Sequence, residues 1–322
     1  MDPLRLLLEG ELEIHGRLVV SSNDALFCSV RLPADDSGES PTVARAVYKP
    51  IRFERPLWDF PDGTLAQREV AAYLVSEATG WGIVPPTVLR DGPAGLGMVQ
   101  LWIDGSDPQE GDGSEPEPGA GSEPEPGDGS AGATGDAADD PAAFHAIDPR
   151  DAWELVRTAD PRLRPMAIFD AVVNNTDRKG GHILPVRSTP DGGTARAREH
   201  AVRSAGGGGV DQAGDAAQAA MAEASDGGAL HLYGVDHGVC FSIEPKLRTV
   251  LWAWRGTPLA APELAVLFRL RTELDRELGR QLRPLLAAEE IRALRARIDS
   301  LLTEGCFPQP RPDRPAIPWP PF

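Results

Sequence analysis

Residues 168–184 read I-F-D-A-V-V-N-N-T-D-R-K-G-G-H-I-L. The apolar residues at the start have helical spacing, with Met166, Phe169 and Val173 at i, i+3 and i+7. Asn174 and Asn175 predict the end of that helix, because Asn tolerates the left-handed conformation and its side chain bonds nearby backbone. The loop that follows, T-D-R-K-G-G-H, is polar and runs straight into a second apolar segment. Rigid scaffolds commonly present chemistry on a charged loop held between two buried elements. Read alone, the stretch is equally a solvated helix-to-strand turn, so its partners elsewhere in the chain decide.

Downstream, residues 183–186 predict a strand that is interrupted by a low-complexity run over 187–229. A partner strand returns at 230–233, just before V-D-H-G at 235–238. Asp177 and Asp236 are 59 positions apart, and the low-complexity run accounts for 43 of them, leaving 16. That remainder is the span of a loop, a β-hairpin and a second loop. Two acidic loops are therefore expected at the same end of one hairpin. Two helical patterns complete the chain, one on Leu264, Leu267, Leu274 and Leu278, the other on Ile291, Leu294, Ile298 and Leu301. The tail after Phe307 is rich in proline and predicts an extended segment, with Trp319 and Phe322 docked on the surface.

Upstream, helical spacing gives way to alternation. Residues 11–20 place Leu12, Ile14, Leu18 and Val20 in phase, Ser21-Ser22-Asn23-Asp24 is a turn, and 25–32 is a returning strand. A third strand, 44–51, contains Lys49, which is either a guard on an edge strand or a buried charge with a task. A helix is predicted over 64–79, capped by Thr64 and striped by Val70, Leu74, Ala78 and Trp81. Gly80 suits its C-terminal cap, and Pro85-Pro86 forbids its resumption. Glu69 and Glu77 can both reach back towards Lys49, and Glu69 is nearer the strand. Short strands follow at 87–89 and 97–103, and helices resume at 151–156 and 163–173.

The net charge of −17 excludes the basic patches of a nucleic-acid or membrane-surface binder. Twelve of the acidic residues fall within 104–140, which holds no basic residue and repeats G-S-E-P-E-P-G, so the remainder is only near −5. A segment of that composition cannot bury enough apolar surface to offset its ordering entropy, which predicts a disordered linker over 104–147. Cys28, Cys240 and Cys306 are odd in number and lack metal-ligand spacing, as in a reducing interior. The opening M-D-P-L-R-L-L-L-E-G begins with an acid and has too short an apolar run for a signal peptide. No stretch reaches transmembrane length. The expectation is a cytoplasmic protein with no nucleic-acid partner and no stable membrane insertion.

In order, the chain then offers a lysine on a strand, a glutamate on a helix, and aspartates on two neighbouring loops: Lys49, Glu69, Asp177 and Asp236. Phosphoryl transfer asks for this set. A lysine holds phosphates, a helix Glu holds the lysine, one Asp takes the acceptor proton and another holds metal. In the kinase loop H-R-D-x-x-x-x-N the base precedes a metal ligand by five residues, and Asp177 precedes His182 by five. Y-K-P at 48–50, R-E-V-A-A-Y at 68–73, M-V-Q-L-W at 98–102, N-N-T-D-R at 174–178 and V-D-H-G at 235–238 carry a resemblance. Together they resemble the phosphatidylinositol 3-/4-kinase-like superfamily, which includes the HipA-type bacterial kinases, and within it a small bacterial family.

The resemblance implies an α+β, bilobal, protein-kinase-like fold. A β-rich N-lobe would span 1–103 and a mainly helical C-lobe 148–306, with two disordered inserts (104–147 and 187–229) and a Pro-rich tail over 307–322. It implies an ATP-dependent phosphotransferase with Mg²⁺ or Mn²⁺, acting on a protein, lipid head group or small molecule. Lys49 would bind ATP phosphates and Val99, Gln100, Leu101 and Trp102 would form the hinge at the adenine. Asp177 would be the catalytic Asp, Asp236 the metal ligand, and Ser21, Ser22 and Asn23 the cover over the phosphates. The superfamily pattern has a metal-binding Asn where this chain has His182; imidazole is softer than an amide oxygen and favours Mn²⁺. That departure keeps open a nucleotide-binding pseudokinase with a regulatory role. A metal phosphohydrolase using His182, His231, Asp236 and His237 is a third reading.

Overall fold

The computed structural model describes residues 2–18, 25–33, 42–103, 149–187 and 230–321. The expected turn at 21–24 with Ser21, Ser22 and Asn23, the linker over 104–147, the insert apart from Arg187, and Phe322 lie outside these residues.

The N-terminal part is a five-stranded antiparallel sheet in the order β1-β2-β3-β5-β4. Its strands are β1 (Glu11–Leu18), β2 (Ala25–Leu32), β3 (Thr42–Pro50), β4 (Thr87–Gly92) and β5 (Gly95–Leu101). The expected phase of β1 is broken by a register shift between Ile14 and Gly16, where His15 bulges, and Ile14 ends up exposed. A short helix, α1 (Pro3–Glu9), was not legible in the alternating pattern. Asp2 caps it by accepting from the Leu4 N–H, and the Arg90 guanidinium closes its other end on the Leu7 and Gly10 carbonyls. Leu6 and Leu7 seal one sheet face over Cys28, Val30, Tyr48 and Val99.

The opposite face belongs to α2 (Leu65–Thr79), which packs Ala66 and Val70 on Met98 of β5. Gly80 ends α2 in the left-handed conformation at φ 74°. At the other end Thr64 does not cap the helix; its hydroxyl donates to the Pro61 carbonyl. The carboxylate of Glu54 takes that place, accepting from the N–H groups of Leu65 and Ala66 at 3.0 and 2.8 Å. The helix is buried around most of its circumference because it lies between the sheet and the helical part. Arg68, 1% exposed, joins the two by donating to the Cys240 carbonyl and pairing with Glu290.

That second part contains α3 (Pro149–Arg157), α4 (Arg164–Val173), α5 (Ala261–Glu273), α6 (Glu277–Leu282) and α7 (Ala288–Glu304). It also contains the hairpin of β6 (Ile183–Arg187) and β7 (Leu230–Gly234). Phe169 and Ile168 of α4 share one core with Leu267, Leu294 and Ile298. The Leu264–Leu278 pattern makes two helices rather than one. The chain turns between them so tightly that a Cβ on Gly279 would stand 2.1 Å from the Leu274 carbonyl oxygen. Among the described residues no helix is long and apolar enough to cross a membrane. The molecule is therefore α+β and two-lobed: an antiparallel sheet with one long helix, then a helical bundle carrying one hairpin.

Candidate functional site

Between the lobes, Lys49 is the centre of an ion cluster. Its Nζ lies 2.7 Å from Oε1 of Glu69 and 2.9 Å from Oδ1 of Asp236. The strand places it by alternation. Lys49 pairs with Met98 in the sheet register, so it shares the inner face with Val47 and α2 rather than the outer face with Tyr48. The lysine is thus on a strand paired on both sides, not an edge guard. Of the two candidate glutamates, Glu69 makes the contact; its other oxygen accepts the His237 N–H at 2.8 Å. Strand, helix and the V-D-H-G loop are thereby tied to one carboxylate.

The two acidic loops do meet at one end of the hairpin. Ile183 pairs with Gly234, and the Val235 N–H donates to the His182 carbonyl at 3.0 Å. Asp236 sits there at φ 60°, a left-handed conformation that is uncommon for a residue other than glycine and worth reading as functional. The Lys49 charge holds its carboxyl well below the usual carboxylate range, against the pull of burial. Burial draws the Lys49 ammonium down, but Asp236 and Glu69 more than cancel it and leave Lys49 raised.

Asp177 is near the cluster but not in it. Its carboxylate faces Lys179 at 3.3 Å and its N–H donates to Oδ1 of Asn175 at 2.9 Å. Burial raises its pKa, with Lys179 and His182 pulling the other way, which makes it a stronger base than an exposed aspartate. His182 Nε2 stands 3.5 Å from Oδ2 of Asp236, while its Nδ1 is buried without a hydrogen-bond partner among the described residues. Burial holds the imidazole pKa down, so the ring is neutral at pH 7 and able to act as a ligand.

Holding these loops in place is a pair that sequence reasoning did not assign. Arg178 and Asp170 are both fully buried and bonded at 2.9 Å. Asp170 also accepts from Asn175 Nδ2 at 3.0 Å and from the Thr249 hydroxyl at 3.1 Å. Arg178 reaches the carbonyls of His182 and Val235 and, at 2.6 Å, Nε2 of His237. Because arginine only donates, His237 Nε2 must accept, which makes the ring neutral. Gly234 leaves room for this guanidinium: a Cβ there would lie 3.0 Å from both of its terminal nitrogens. The available signal was the D-x₇-R spacing from Asp170 to Arg178, which puts a carboxylate on the last turn of α4 beside the loop.

The remaining candidates have structural partners. Val99 and Gln100 are buried in β5, paired with Tyr48 and Val47, and Gln100 donates to the Thr87 hydroxyl. Leu101 and Trp102 donate their N–H groups to the Pro86 and Arg45 carbonyls, so regular pairing ends at Trp102. The Trp102 ring meets Phe27 edge-on at 5.3 Å. His231 bonds the Gly82 carbonyl and meets the Tyr233 ring edge-on. With His231 and His237 so committed, a hydrolase site on four ligands does not assemble. Cys28, Cys240 and Cys306 are free thiols. Trp319 is 90% exposed rather than docked; the tail is held by backbone instead, through the Ala316 carbonyl on Thr249 N–H and the Pro321 carbonyl on Gly180 N–H.

Among the described residues no group of three or more His, Cys, Asp or Glu side chains could hold a metal ion. A magnesium-type ion does not require one, since it usually binds one or two carboxylates plus substrate phosphates and water. Asp236 supplies one such carboxylate, whereas the neutral His182 nitrogen that faces it is a softer donor, better suited to a manganese-type ion.

No family model matches the chain. The solved structure titled "Crystal structure of A Helicobacter pylori proinflammatory kinase CtkA" aligns over 93% of this chain and 94% of that one. The TM-score is 0.37 and the identity 9%, too slight a likeness to carry an argument. Protein Rv2133c of Mycobacterium tuberculosis is 38% identical over 327 residues, covering 100% of this chain and 96% of that protein. On that likeness, the chain belongs to the family of Protein Rv2133c.

Proposed function

We propose that this chain is an ATP-dependent phosphotransferase, an atypical kinase of the phosphatidylinositol 3-/4-kinase-like superfamily that moves the γ-phosphate of ATP to a hydroxyl acceptor. The observation that carries this reading is the bridge at Lys49, which holds Glu69 of α2 and Asp236 of the hairpin loop with one ammonium. Phosphoryl transfer depends on placed charge more than on covalent chemistry by the protein. Lys49 neutralises phosphate oxygens, and Glu69 fixes the direction from which it does so. Phe27, Val47 and Trp102 give the base an apolar surface on the face that carries Lys49. Asp236 and His182 would hold Mg²⁺ or Mn²⁺, and the ion would supply positive charge to offset that of the phosphates. Asp177 accepts the acceptor's hydroxyl proton as the new oxygen–phosphorus bond forms and ADP leaves with the electrons of the broken one.

The test is paired: ATP affinity with and without metal, and ATP consumption, for wild type, Asp177→Asn and Asp236→Asn. Asp177→Asn keeps the nucleotide and loses turnover; Asp236→Asn loses metal-dependent affinity as well. If the two variants behave alike, the division of roles is wrong. His182, standing where the superfamily pattern has Asn, favours one second reading, a nucleotide-binding regulator. ATP binding by the wild type with no consumption would select it.

A further inference from the structure

We infer that the chain has a second ligand site, separate from the Lys49 cluster, for a small organic anion: a phosphate- or carboxylate-bearing molecule with an apolar body. The site is a cavity of about 440 Å³ between α7, the segment after the hairpin and the C-terminal tail. That volume lies in the range of small-molecule pockets. None of Lys49, Glu69, Asp177, His182 and Asp236 lines it. Trp252, Leu247 and Leu301 supply apolar wall.

Charge decides the class of ligand. The chain carries −17 overall, yet this cavity is lined by five cationic side chains and only three carboxylates. Three of the cations are already paired: Lys246 with Asp59 at 3.1 Å, Arg314 with Glu244 at 3.2 Å, and Arg311 with Asp313 at 3.0 Å. Arg248 and Arg297 have no carboxylate partner among the described residues. Arg297 is held rigidly, its Nε donating to the Val172 carbonyl at 2.8 Å and its Nη1 to the Ser242 carbonyl at 3.2 Å. Its Nη2 is buried and has no acceptor among the described residues. A buried donor without a partner is costly and rare, and one on a fixed guanidinium fork suits a phosphate or carboxylate oxygen. Burial draws Arg297 down to about 10, by more than the nearby Glu290 carboxylate offsets.

The cavity also backs the loop that carries Asp177. Arg248 N–H donates to the Asn175 carbonyl at 2.9 Å and Lys246 N–H to Oδ1 of Asn174 at 3.0 Å. A ligand here therefore rests on backbone that positions the candidate base, without sharing its side chains.

Calorimetric titration of the full chain with phenyl phosphate, benzoate, inorganic phosphate and benzyl alcohol tests the inference. Phenyl phosphate or benzoate should bind one-to-one, and more tightly than inorganic phosphate or the neutral alcohol. Arg248→Gln, a partly exposed position outside the core, should weaken the organic anion roughly tenfold or more, as loss of a charge-assisted hydrogen bond does. Arg297→Lys, which keeps charge but loses the fork, should weaken it as well. Lys49→Met should leave it unchanged, whether or not the nucleotide reading holds. Absence of binding to wild type, equal binding of benzyl alcohol, or no effect of Arg248→Gln would overturn the site. Binding lost in Lys49→Met but kept in Arg248→Gln would also overturn it, by moving the anion to the nucleotide cluster.

Discussion

Replacing Lys49 by methionine keeps most of the stem and removes the charge. Glu69, with a side chain only 2% exposed, is then left with one donor, the His237 N–H. Stripping one partner from a fully buried ion pair costs about 3–5 kcal/mol. Here the Asp236 side chain is 41% exposed and regains water, so only the Glu69 half of the cluster is stranded. The expected loss is about 2–3 kcal/mol, read as a lower urea midpoint with an unchanged slope. Adding Glu69→Gln removes the stranded charge while its carbonyl can still accept from His237, so the double variant should regain most of that stability. ATP affinity, measured by calorimetry, should be lost in both. The pH dependence has a definite sign. Asp236 has a depressed pKa, so its stabilisation is present above the ordinary value of 3.8 and lost as pH falls through the depressed one. Lys49 has a raised pKa, so its contribution is complete below 10.5 and lost only as pH rises through the raised value. The gap between wild type and Lys49→Met should therefore be flat from about pH 5 to 10 and narrow in acid. Unchanged ATP affinity in Lys49→Met, or no rescue by Glu69→Gln, would refute the bridge.

Asp170→Asn leaves Arg178 buried without its counter-charge and should cost about 3–5 kcal/mol in the same urea assay, more than Lys49→Met. Glu54→Ala removes the carboxylate that accepts from Leu65 and Ala66 and should cost about 1 kcal/mol, with α2 amides exchanging faster. Any ATP consumption should rise with pH along a limb displaced above 3.8, because burial raises Asp177; Asp177→Asn should abolish that limb and lower the rate about 10²–10⁴-fold. Arg187 and Leu230 are paired at the open end of the hairpin, so replacing 188–229 by Asn-Gly should close it with a type I′ turn. The melting temperature should then shift by no more than a few degrees.

What was legible in the sequence was what the local period writes. Alternation placed Lys49 on a strand, the 3.6 spacing placed Glu69 on a helix, and counting residues around the low-complexity run brought Asp177 and Asp236 to one hairpin end. Helix ends were less legible, because their caps come from elsewhere: Glu54 reaches α2 from eleven positions upstream, and Arg90 closes α1 from β4, more than 75 positions downstream. The split between α5 and α6 was hidden because a break needs no proline when Gly279 lets the backbone fold onto the Leu274 carbonyl.

Asp170 and Arg178 were hidden for a different reason. Both read as ordinary polar residues until the fold removes their water, and only then does each become the other's necessary partner. Asp236 shows the converse. At φ 60° glycine would be the cheaper residue, and a non-glycine there costs of order 1–3 kcal/mol. An aspartate in that position is explained by what its carboxylate does, and the structure gives that carboxylate Lys49 on one oxygen and faces it with His182 on the other. The strained backbone and the ion cluster are thus one feature: the turn that aims Asp236 is stabilised by the charge it is aimed at.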